Sequence, residues 1–227
     1  MTMQMKWPLL LLLFMAPFSY ANSLIFHPPK ASYSDSSNII KIKVENNESI
    51  SAVYKPNPKS RYTLLFSHGN AEDIGQNQAF FELCQKNGFS VFAYDYRGYG
   101  TSDGQPSELN TYKDILATYR YLVNNLQTDP NSIIVHGRSL GSGPSCYLAS
   151  QKSVGGLILE SAFLSVHRVA LGATLPFDPY NNLARIKQIE CPVLVIHGKR
   201  DSVIPFLHGT TLFREANSPK IKYWVNR

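Results

Sequence analysis

A chain of 227 residues with 44% hydrophobic and 17% charged residues is long enough for one domain with a substantial core, and too sparsely charged for a disordered one. Its formal charge of +6 is spread along the chain without a dense Lys/Arg block. That excludes nucleic-acid binding through a basic stripe and suits only weak, peripheral association with anionic surfaces such as a membrane. Cys84, Cys146 and Cys191 show no CxxC or Cys/His spacing, so no metal site is expected, and the odd number leaves at least one thiol free.

Residues 1–21 have the pattern of an export signal. Lys6 supplies a positive start, Trp7 to Phe18 an apolar stretch, and Ser19-Tyr20-Ala21 a small-x-small cleavage site. Pro8 and Pro17 interrupt the apolar run, which is shorter than the ~20 residues that span a bilayer. The expectation is a periplasmic or secreted protein starting at Asn22, with an N-terminal membrane anchor as the alternative. Ile39 to Val44 and Ile50 to Tyr54 alternate apolar and polar residues around Asn46-Asn47, as a half-buried hairpin does.

From Tyr62 the pattern changes to short unbroken apolar runs: Tyr62–Phe66, Ser90–Tyr94, Ser132–Val135, Gly156–Leu159, Pro192–Ile196 and Ile221–Val225. Such runs suit parallel strands covered on both faces. Helical patterns lie between them. Leu109, Tyr112, Leu116, Tyr119 and Val123 recur at three- and four-residue spacing, with Ser107 placed as N-cap. The expected fold is therefore α/β: a doubly wound, mostly parallel sheet with an N-terminal antiparallel hairpin, in one domain over residues 22–227. Ligands of such sheets bind beyond the carboxyl ends of the strands. There stand His68-Gly69-Asn70, Asp95 to Gly98, Gly137-Arg138-Ser139, Glu160-Ser161 and His197 to Asp201.

The pattern G-x-S-x-G occurs at Gly100–Gly104 and at Gly137–Gly141. A nucleophile elbow needs a strand entering a tight turn and a helix leaving it. Ser139 has both, with Ile133 to His136 leading in and the small-residue stretch Leu140 to Ser150 leading out. Ser102 follows a polar loop and precedes Gln105-Pro106, so it is expected in a surface turn. With Ser139 as nucleophile, the backbone N–H groups of Leu140 and of Asn70, or its neighbour Ala71, are the expected oxyanion donors. Asp201 follows a strand and comes after the serine, which fits the triad acid. Its alternative is an N-cap or an ion pair with Arg200. Glu160 and Asp178 are weaker alternatives for the acid. Gly137–Gly141 has neither a Walker lysine nor GxGxxG, which excludes nucleotide binding there.

From about Leu24 to Val225 the chain resembles the α/β-hydrolase fold family, in particular its small serine hydrolases with a minimal lid, serine-aminopeptidase-like and acyl-protein-thioesterase-like. The segments that carry the likeness are LLFSHGNAEDIGQ, VFAYDYRGYGTSDGQPSE, IIVHGRSLGSGPSCYLAS, GLILESAF and CPVLVIHGKRDSVIPFLHG. The resemblance implies hydrolysis of an ester, thioester or amide of a small acyl or peptide substrate, without metal or cofactor, with Ser139 as nucleophile and Asp201 as acid. It also implies a short lid over about residues 161–180, where Phe163, Val169, Leu175 and Phe177 are candidates for an acyl pocket or for plain packing. In the family a histidine follows the last strand and precedes a final helix, whereas this sequence stops at Asn226-Arg227. The expectation is a C-terminally truncated member with that helix missing, either a serine hydrolase or an inactive, binding-only relative. His208 lies on the helical pattern Phe206 to Arg214 and is expected to pack against the sheet. His167 is the one other histidine whose loop is expected near the site.

Overall fold

The structure, a computed structural model, describes residues 25–171 and 178–226. The expected export signal and residues 172–177 of the expected lid, with Leu175 and Phe177, lie outside the described residues. Asn46 and Asn47 adopt left-handed φ of 57° and 60°, which short amide side chains tolerate. They turn β1 (Ile40–Lys43) back onto β2 (Ser49–Lys55) as an antiparallel pair. β2 pairs antiparallel with β4 (Ser90–Tyr94). From there β3 (Thr63–Ser67), β4, β5 (Ile133–Arg138), β6 (Gly156–Glu160), β7 (Val193–Gly198) and β8 (Lys220–Val225) run parallel. The described strands form one sheet in the order β1-β2-β4-β3-β5-β6-β7-β8.

Side chains alternate between two cores, as the two-residue period of a strand requires. Leu65, Phe92, Val135, Leu157 and Val195 face one side. There they meet α2 (Glu108–Asn124), α3 (Ser142–Gln151), α5 (Asn182–Ile186) and α6 (Phe206–Glu215), through Ile115, Leu148, Ile186 and Leu212. Leu64, Phe66, Val91 and Ala93 face the other side, under Phe81 of α1 (Gln78–Lys86). A short helix, α4 (Val166–Leu171), follows β6. Ser107 caps α2 as expected: its backbone is extended and its Oγ accepts from Asn110 N–H at 3.1 Å. Among the described residues no helix is long and apolar enough to cross a membrane.

Two expectations about burial are corrected. β2 is not half-buried, because Ser49 and Ser51 are also covered. The loop after β4 lies against its polar side, with Asp103 and Ser102 accepting the N–H groups of Ser49 and Ser51. Conversely β8 is covered on one face only. Trp224 packs with Phe206 and Phe213 of α6, while Ile221 and Tyr223 on the other face are 68% and 63% exposed. All three cysteines are free. Cys146 is fully buried and Cys84 and Cys191 are half-buried, and burial raises each thiol, Cys146 to about 12 and Cys191 to about 11. They stay protonated at neutral pH and are poor nucleophiles.

Candidate functional site

The segments expected to carry chemistry all leave the carboxyl ends of parallel strands, so they converge on one rim of the sheet. β5 enters a tight turn at Ser139, where a short helical turn, Ser139–Gly141, leads into α3. Ser139 takes φ of 50°, a left-handed conformation that costs a non-glycine residue roughly 1–2 kcal/mol. Close packing on both sides holds it there. A Cβ on Gly137 would come 2.5 Å from Gly141 O, and one on Gly141 would come 2.0 Å from Ser67 O. The two glycines of the pattern therefore permit close approach while the serine carries the strain. Ser142 Oγ donates to Ser139 O at 2.7 Å and steadies the apex.

A cleft of about 240 Å³ opens over this turn. Ser139, Leu140 and Asn70 line it, together with an apolar wall of Ile25, Phe163, Val166, Val169, Val203 and Ile204. Two of the expected acyl-pocket residues, Phe163 and Val169, are thus in the cleft. Leu140 sits in the first turn of a helix, so its N–H has no acceptor within the helix. Asn70 stands in the loop after β3, and its side chain does a separate job. Its Nδ2 donates to Ile25 O at 2.6 Å, and its Oδ1 accepts from His27 N–H at 2.9 Å and Tyr99 O–H at 2.6 Å. The segment from Ile25 is thereby tied across the mouth of the cleft.

Asp201 does not head a helix. α6 begins five residues later behind Pro205, so the N-cap alternative is set aside. Instead Asp201 Oδ1 accepts the N–H groups of Val203 and Ile204, both at 2.9 Å. Partial burial raises its carboxyl, but those two N–H groups, the Ser161 hydroxyl and His197 outweigh burial and hold it below the usual range. Asp201 is an anion at neutral pH and meets the cleft through Val203 and Ile204. Glu160 faces His136 at 3.0 Å and Arg138 at 3.2 Å. Asp178 accepts from Ser165 Oγ at 2.5 Å and from His167 N–H at 3.0 Å.

The buried histidines have structural partners. His68 lies 3.1 Å from Asp95 Oδ1 and 2.7 Å from Gly69 O, and so shapes the loop that carries Asn70. His136 meets Glu160, and His197 Nε2 bonds Ile204 O at 2.9 Å. His208 packs inward on α6, where Leu164 N–H donates to its Nδ1 at 3.1 Å. Burial first, and then the electrostatic influence of His197 and Arg168, lowers the pKa of His208, so the ring is neutral at pH 7. His167 stands 3.4 Å from Asp178. Among the described residues no group of three His, Cys, Asp or Glu is arranged to hold a metal ion.

Sequence reasoning passed over two contributors to this site. His27 lacks any motif, yet it is exposed and lines the cleft beside Ser139. Ile25 forms part of the wall, and no periodicity marks it, because the contact with Asn70 spans more than 40 residues. Ser161, marked in the sequence with Glu160 at the end of an apolar run, adopts φ of 46° just after β6 and helps to hold the Asp201 carboxyl low.

A family model described as serine aminopeptidase, S33, matches residues 58–178. The chain is 34% identical to alpha/beta hydrolase domain-containing protein aho-3 of Caenorhabditis elegans, over 92% of this chain and 72% of that protein. It is 42% identical to alpha/beta hydrolase domain-containing protein 17B of Homo sapiens, over 74% of this chain but only 60% of that protein's length. Among solved structures, an esterase from Pyrococcus furiosus superposes with a TM-score of 0.74 at 20% identity, covering 88% of this chain and 90% of that one. At that identity the likeness speaks for the fold alone.

Proposed function

Because this chain belongs to the α/β-hydrolase family, we propose that it is a serine hydrolase that cleaves an ester, thioester or amide bond through an acyl-enzyme on Ser139. The observation that carries the proposal is the left-handed φ of Ser139, at a strand–turn–helix apex that lines the cleft. Stored strain of this kind persists only where the surroundings impose it, and it lifts the serine out of the chain toward a substrate. In the proposed reaction Ser139 Oγ attacks the carbonyl carbon. The N–H groups of Leu140 and Asn70 receive the oxyanion, and the leaving group departs with a proton. Water then attacks the acyl-enzyme by the same path. The apolar wall favours a short apolar acyl group, with the remainder of the substrate in solvent. The scheme uses no metal or cofactor.

Ser139 needs a base, and in this proposal Asp201 is the acid that orients one. Val225, the last residue of β8, accepts from Lys199 N–H at 2.8 Å, two residues before Asp201 in the loop after β7. A second reading, a protein that binds a substrate without turning it over, is favoured by the engagement of the buried histidines with structural partners. Hydrolysis of a short p-nitrophenyl ester by wild type and by Ser139→Ala separates the two. Turnover by wild type alone, reduced by about 10³-fold or more in the variant, supports the hydrolase. Silence of both folded proteins favours the binding protein. Export, and peripheral association of this basic chain with membranes, remain proposals from the sequence. A mature protein beginning at Asn22 is the expected result of N-terminal sequencing.

A further inference from the structure

Arg138, the residue before Ser139, does not line the cleft, yet it touches the elements on both sides of it. Its Nη1 donates to Asn77 Oδ1 at 2.9 Å and stands 3.6 Å from Glu72 Oε2. Asn77 Nδ2 donates to the same Glu72 oxygen at 3.0 Å. The other Glu72 oxygen accepts the N–H of Gly69 at 2.5 Å, one residue before the expected oxyanion donor Asn70. On the opposite side Arg138 Nε donates to Glu160 Oε2 at 3.2 Å, across the register pair Arg138–Glu160 of β5 and β6. The residue after Glu160 is Ser161, whose hydroxyl helps to hold the Asp201 carboxyl below its usual range. The guanidinium carbon stands 5.0 Å and 4.9 Å from the ring centres of Phe66 and Phe80.

The geometry points to Arg138 as a positioning residue that fixes the Gly69–Asn70 loop and the Ser161–Asp201 limb against the nucleophile turn. This assignment rests on the hydrolase proposed above. Only a planar fork of donors spans Asn77 and Glu160 at once, and a lysine, with one nitrogen, holds one side at a time. Because Arg138 stays out of the cleft, losing it leaves the apolar wall unchanged but lets the oxyanion donors drift. Misplacement of about 1 Å at such donors costs up to about a hundredfold in rate.

The test compares Arg138→Met, which keeps the stem over the two rings, with Arg138→Lys and with Glu72→Gln, which loosens the same clamp from the loop side. Ester hydrolysis, labelling of Ser139 by a fluorophosphonate, and amide hydrogen exchange at Gly69 are read on the full chain. The expected result is a fall in kcat of about 10- to 100-fold in Arg138→Met, with KM within about twofold. Labelling slows in step and exchange at Gly69 is faster, and Arg138→Lys recovers part of each. Unchanged kcat and unchanged Gly69 exchange overturn the assignment, as does a loss carried by KM alone. If Arg138→Met fails to fold, Glu72→Gln decides by the same criteria. If wild type neither hydrolyses nor labels, the hydrolase proposal fails on its own, and exchange at Gly69 still decides whether Arg138 holds the loop.

Discussion

Ser102 and Ser139 occupy the same five-residue pattern, and the fold treats them in opposite ways. At Gly100–Gly104 the glycines take the left-handed angles, with φ of 52° and 75°, and the serine between them is turned inward. Ser102 Oγ accepts from Ser51 N–H at 2.8 Å and donates to Asp95 O at 3.0 Å, tying the loop to the sheet. At Gly137–Gly141 the serine takes the left-handed angle, and the glycines are small because backbone passes close to both. One copy uses its hydroxyl to close a turn, and the other holds its hydroxyl at a strained apex over a cleft. What separates them is the element on either side. A strand and a helix pull the second copy taut, whereas a loop that can relax surrounds the first.

Four substitutions test that contrast, in descending order of expected effect. Gly141→Ala drives a Cβ against the carbonyl of Ser67, backbone that cannot step aside, and should destabilise the fold by about 3 kcal/mol, read from the urea midpoint. Ser102→Ala leaves the buried N–H of Ser51 without its acceptor and should cost roughly 1–3 kcal/mol while sparing ester turnover. A Ser102→Ala protein that is fully stable but inactive would reverse the assignment of the two serines. Ser139→Gly should do the opposite, abolishing turnover while raising stability by about 0.5–1 kcal/mol. That is the left-handed strain relieved, less the extra chain entropy of glycine.

The smallest effect concerns Glu160 beside the second copy. Burial raises its carboxyl, but His136 and Arg138 outweigh burial and bring it down to about 2. A depressed carboxyl stabilises the fold above its ordinary pKa, and that contribution is lost as pH falls through the folded value. Between about pH 4.5 and pH 2 the wild type should therefore lose stability more steeply than Glu160→Gln. Urea midpoints measured across that range give the slope for each protein. Parallel slopes would remove Glu160 from the ion-pair network.

The sequence by itself determined most of the framework. Each of the six apolar runs places a parallel strand within three residues of where it lies, although the last, β8, is covered on one face only. Local chemistry also declared Ser107 as a cap, Asn46-Asn47 as a turn, and Ser139 rather than Ser102 as the elbow. Tertiary structure alone decided the rest. That Ile25 and His27 line the cleft, and that Arg138 bridges Asn77 and Glu160, depend on contacts between residues far apart in the chain. Periodicity reports which face of an element a residue shares with its own neighbours. It does not report which loop the folded sheet brings alongside, because that is set by strand order and twist.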